Sequence, residues 1–166
     1  TMSQVCTSVI SEGGYELRGL QQAISTPISS PRDLPAANTE YPLISLRLKS
    51  SPDRLDAIVI LTALSLMGIT NNANYRWQVI ASGVTGGGTW VSAGVDSALE
   101  YNISGTSITG GRILASGFTN GSNQGSTPVD ILKEALFKFQ LERNGLTSTP
   151  YEISLTASTN SAGADI

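Results

Sequence analysis

The sequence predicts an all-β fold, an antiparallel β-sandwich of jelly-roll-like topology with eight or nine strands. Three observations predict it. Apolar and polar residues alternate over short segments, the period of a strand rather than of a helix. Clusters of Gly, Asn, Pro and Ser punctuate these segments at intervals of roughly 8 to 15 residues, the spacing of turns in sandwiches. The chain has 166 residues, one domain's worth, and residues 1–166 read as a single unit without an internal repeat.

The elements follow in order. Residues 4–10 form a first strand, closed by the turn Ser11-Glu12-Gly13-Gly14. Residues 21–42 hold four of the seven prolines and no sustained period, which predicts a proline-rich arm or long connection. Residues 43–49 place Ile44, Leu46 and Leu48 on one side and Ser45, Arg47 and Lys49 on the other, the pattern of a half-buried strand with a wet face. Residues 55–67 are long enough for a helix, but Ile58-Val59-Ile60 is β-branched and uncapped, so a central strand buried on both faces is expected. Asn71-Asn72 is turn chemistry. Residues 74–82 then set Tyr75, Trp77, Val79 and Ala81 against Arg76, Gln78, Ile80 and Ser82. Shorter strands are expected at 89–92, 98–103, 112–118, 135–142 and 151–158, with a brief helical option at 130–137. The predicted core includes Ile44, Leu46, Leu48, Ile58, Ile60, Val79 and Phe139.

Composition excludes more chemistry than it suggests. The chain has no histidine and one cysteine, Cys6, which removes histidine-based triads, His or multi-Cys zinc sites and internal disulfides. A net charge of −3 argues against a nucleic-acid partner. The longest apolar run, residues 55–69, includes Asp56 and is too short to span a bilayer, so no membrane partner is expected. Gly86-Gly87-Gly88 lacks the lysine and following helix of a phosphate loop and reads as a hairpin connection. Asp33, Asp53 and Asp56 offer oxygen ligands, yet Asp53 and Asp56 flank Arg54 and read as a solvated turn. Asp96 and Glu100 have no partner suited to acid–base work. No catalytic residue, metal ligand or cofactor is therefore expected. Trp90 and Tyr101 are the candidate contacts for a glycan or a protein partner. Ile24, Ile28 and Leu34 are the candidate assembly residues of the arm, since apolar residues without a period gain by lying across a neighbour, and the prolines limit the ordering cost. Homo-oligomerisation is expected on that ground, with packing of the arm on its own domain as the alternative.

One stretch carries a family resemblance. Tyr75-Arg76-Trp77-Gln78-Val79-Ile80, a Gly-rich turn, Thr89-Trp90-Val91-Ser92, Val95-Asp96-Ser97-Ala98-Leu99-Glu100-Tyr101 and Thr109-Gly110-Gly111-Arg112-Ile113-Leu114-Ala115-Ser116-Gly117-Phe118 resemble a recurrent domain of tailed-bacteriophage virion structural proteins. The opening Ser8-Val9-Ile10-Ser11-Glu12-Gly13-Gly14-Tyr15 and the last two strands look similar to the same family. The resemblance implies a non-enzymatic virion component, a capsid-decoration protein or a fibre or appendage part, localised to the virion. It implies association with other virion proteins and with itself, most simply as a trimer, and a receptor-binding fibre module contacting a host surface glycan as the alternative. The family's pattern continues into a further strand beyond the point where Ala164-Asp165-Ile166 stops.

Overall fold

The computed structural model describes residues 23–27, 29–50, 57–60, 64–95, 97–121, 129–130 and 138–166. These form strands and turns only: β1 (Asp33–Leu34), β2 (Tyr41–Leu48), β3 (Ala57–Ile60), β4 (Ser65–Leu66), β5 (Asn74–Ala81), β6 (Val84–Gly86) and β7 (Val91–Ser92). They continue as β8 (Leu99–Asn102), β9 (Ser107–Thr109), β10 (Arg112–Asn120), β11 (Val129–Asp130), β12 (Lys138–Leu141), β13 (Glu152–Thr159) and β14 (Ala164–Asp165). The fold is the expected all-β, antiparallel architecture. Nine of these strands have three or more residues, and five are two-residue pairings.

A six-stranded antiparallel sheet, in the order β10-β5-β13-β2-β8-β7, organises the molecule. Four two-stranded ladders surround it: β1-β14, β4-β11, β3-β12 and β6-β9. Alternation decides what each face carries. On one face the registers align Tyr75, Trp77 and Val79 of β5 with Thr159, Ala157 and Leu155 of β13, and Leu155 and Ile153 with Ile44 and Leu46 of β2. This apolar face joins Leu48, Leu34, Val59, Leu66 and Leu141 in one core cluster, so β1, β3, β4 and β12 contribute to its cover. Burial of such side chains is the main favourable term in the fold.

Four sequence expectations are refined here. The face of β2 expected to be wet is not: Ser45 is wholly buried and Lys49 nearly so. The β6-β9 ladder explains Ser45, since it lies over that side of the sheet, where Thr85 of β6 meets Ser45. Residues 55–67 supply two strands, β3 and β4, in separate ladders, and the centre of the large sheet belongs to β13 and β2 instead. Ile44 and Leu46 are half-buried, whereas Leu48 and Val79 are fully in the core. The side chains of Ile58, Ile60 and Phe139 and the strand expected at 4–10 lie outside the described residues, as does the helical option at 131–137, while Val129–Asp130 is strand.

Turn chemistry behaves as its residues dictate. Asn72 adopts a left-handed conformation with φ of 62°, the conformation asparagine tolerates best after glycine. Gly117 of β10 faces Trp77 across the ladder, and a Cβ there would fall 2.4 Å from Trp77 Cζ2. Only glycine lets the indole lie flat over the strand, the aromatic cover that compensates a glycine near a sheet edge.

Leu48, fully buried where β2 meets the second layer, is the sharpest probe of this core. Truncation by Leu48→Ala is expected to cost about 2–5 kcal/mol in urea melts. A loss below about 0.5 kcal/mol would place Leu48 outside the core that the registers define.

Candidate functional site

The second face of the sheet is polar. Its registers set Ser45 against Ser154 and Asn102, and Arg47 against both Glu152 and Glu100. A polar group buried without a partner costs more than a typical hydrogen bond returns, so the centre of this face works as a connected network. Arg47 Nε donates to Glu100 Oε1 at 2.6 Å, and its Nη1 lies 3.9 Å from Glu152 Oε1. The remaining Glu152 oxygen, Oε2, accepts the Thr85 amide at 2.8 Å. Thr85 and Ser45 share a 2.7 Å hydrogen bond, and Ser154 donates to Ser45 at 2.8 Å.

Trp90 closes this network at one side. Its ring stacks on the Arg47 guanidinium, 3.9 Å from the ring centroid, a cation–π contact that also shields the ion pair from water. A second cluster lies nearer β10: Thr156 Oγ1 donates to Glu40 Oε1 at 2.5 Å, and Arg76 Nη2 binds Glu40 Oε2 at 2.9 Å.

Chemically, these groups are committed to one another. Thr156 and Glu40 make the hydroxyl–carboxylate pair that nucleophilic chemistry requires, but Thr156 is wholly buried and cannot meet a substrate. Ser45 and Ser154 are buried as well, with hydroxyls as partners. Burial holds the Glu152 carboxyl above its ordinary range, against the opposing pull of its Thr85 hydrogen bonds and the Arg47 charge. Burial likewise raises the Tyr75 phenol, which donates to the Asp165 carbonyl at 2.6 Å.

The candidate contacts separate. Trp90 lies on the polar face, over Arg47. Tyr101 pairs in register with Leu46 and Val91, on the apolar side, so the two aromatics do not form one platform. The arm residues divide too. Leu34 is fully buried in β1, whose partner is β14 of the same chain, and is therefore spent on its own core, a correction to its expected assembly role. Its two-residue strand leaves no period to read. Ile24 is half-buried beside a cleft of about 390 Å³ between the arm and the sheet, lined also by Pro27, Leu43, Ile44, Leu66 and Leu155. Ile28 lies outside the described residues.

The metal candidates fare as follows. Asp53, Asp56 and Asp96 lie outside the described residues. Asp33 faces Asp165 across the β1-β14 ladder, and among the described residues no third ligand joins such a pair. Arg47, Glu152 and Glu40 were missed by sequence reasoning. Their signal, charges at alternate strand positions, is also the signal of an ordinary solvated face.

A scan against protein-family models finds no match to this chain, and searches of curated proteins and of solved structures find none either.

The sign of the Glu152 shift makes a prediction. A folded-state pKa raised above the unfolded value, ordinarily about 4.3, means that this group's stabilising contribution is complete below that value. The contribution is lost as pH rises through the higher folded value. Glu152→Gln removes the titration, so the stability of the variant relative to wild type should increase from pH 4 to pH 7 in parallel melts. A relative stability that falls over that range contradicts the placement of a desolvated carboxylate there.

Proposed function

We propose that the chain is a non-enzymatic structural component of a tailed-bacteriophage virion, a capsid-decoration or fibre and appendage part that acts by associating with copies of itself and with other virion proteins. The observation that carries the reading is the commitment of the polar groups. The carboxylates and hydroxyls at the centre of the polar face pair with one another beneath the β6-β9 ladder and Trp90. The described surface carries large apolar side chains as well: Phe118, Val95, Val84 and Leu146 are all more than half exposed. Low charge suits such a part, because copies approach without strong mutual repulsion. The sequence resemblance supplies the virion context and the three-fold number.

A glycan-binding fibre module is the second reading, favoured by the half-buried Trp90 beside exposed Val91. Of its two candidate aromatics only Trp90 lies on that face, since Tyr101 lies on the other side of the sheet.

Light scattering on the purified chain tests the assembly role, repeated after removal of residues 1–30, which spares buried Leu34. A discrete oligomer, trimeric if the arm is exchanged three-fold, and its loss on removal are expected. A monomer at millimolar concentration contradicts self-assembly. Binding on a glycan array that Trp90→Ala abolishes would move the assignment to the second reading.

A further inference from the structure

We infer that the outer edge of β10 is a contact surface for the β10 strand of a second copy, joined antiparallel about a two-fold axis so that one sheet runs through both molecules. The inference is independent of the virion context and uses a different part of the molecule from the arm.

Among the described residues the edge is open, and its regular stretch lies beyond Arg112 and the irregularity at Ile113 and Ala115. Strand β10 is the longest described strand at nine residues, and among the described residues it pairs with β5 alone, at the end of the six-stranded sheet. Among the described residues no hydrogen bond reaches its outer side. Unpaired amides and carbonyls along such a strand recognise one kind of partner, another extended strand. Edges that must stay unpaired carry lysines, prolines or inward charges. Residues 115–120, Ala-Ser-Gly-Phe-Thr-Asn, carry none. Phe118 is instead 78% exposed and Ile113 55% exposed. Arg76, the register partner of Phe118, is neutralised by Glu40 at 2.9 Å, so no net charge from that pair opposes the approach of a second copy.

The choice of a second copy follows from the sheet's two ends. The opposite edge, β7, has two residues, too few to receive a strand of this length. A head-to-tail contact between copies needs two different complementary edges, whereas copies of a sheet with a single long edge pair through that same edge, isologously. Register follows too. The ladder with β5 is irregular between Ile113 and Ala115, which leaves residues 115–120 as the regular stretch. A continuous sheet keeps each face on one side, so opposed residues must be of like parity. The registers centred on that stretch oppose Gly117 to Gly117 or Phe118 to Phe118. Both bring the two Phe118 rings together, directly or diagonally, within roughly 5 to 8 Å. The partner's ring is what covers an aromatic now left to water.

Charge reversal tests this. Phe118→Lys and Phe118→Glu change an exposed side chain, so each variant should melt within a degree or two of a monomeric reference at low concentration. Sedimentation velocity over a concentration series should show each variant, alone, associating at least about tenfold more weakly than wild type, because like charges then oppose across the ladder. An equimolar mixture of the two should recover association. Equal association of wild type and both variants overturns the edge contact while leaving assembly through the arm intact. A wild-type chain that stays monomeric overturns both. Weakening without recovery in the mixture also contradicts the two-fold register, since opposite charges should then meet.

Discussion

A half-buried arginine shared by two buried glutamates is the constraint on which the rest depends. Arg47 lies between Glu100 and Glu152, its register partners on the two neighbouring strands. Removing Arg47 leaves two carboxylates without their counter-charge where little water reaches them. A slip of one residue in β2 would send Arg47 to the apolar face and leave both carboxylates unpaired. The network thereby selects one register for three strands at once. It also positions what lies above, since Glu152 holds the Thr85 amide and Arg47 carries the Trp90 ring.

Where one face of a strand is apolar and the other polar, the pattern was readable. Tyr75, Trp77 and Val79 of β5 and Ile153, Leu155 and Ala157 of β13 occupy the core face that their alternation implied. Alternation reports polarity, however, and not cover. All eight residues of β13 are buried, because the polar side of Ser154 and Glu152 is roofed by residues far away in sequence. The roof is made of three-residue strands, Val84–Gly86 and Ser107–Thr109, too short and too glycine-rich to show a period. Leu34 was hidden for a related reason. Its two-residue strand sits among prolines, and its partner Ala164 is close to the other end of the sequence. The candidate site was legible only as single residues. Trp90 could be picked out as an aromatic beside a glycine turn, but its partner Arg47 lies on a different strand, and no local spacing joins them.

The two ends of the large sheet show opposite treatments of polar and apolar groups. Toward β8, the charges are drawn inward and satisfied, and Trp90 spends one face of its ring on a cation. Toward β10, Trp77 covers Gly117 on the inner side, whereas Phe118 faces outward. The proposed contact edge and the Arg47 network thus lie at separate ends of the sheet, and altering the outer edge should leave the network untouched.

The Thr85 amide reports the central claim most directly, because its proton reaches the Glu152 carboxylate only if the β6-β9 ladder is clamped onto the polar face. Native-state hydrogen exchange, read at that amide, should show protection approaching that of the core strands, so that exchange requires opening of the sheet itself. Exchange at Thr85 within about tenfold of the rate for an unprotected amide would mean that the ladder lifts freely, and that the network does not hold the structure together.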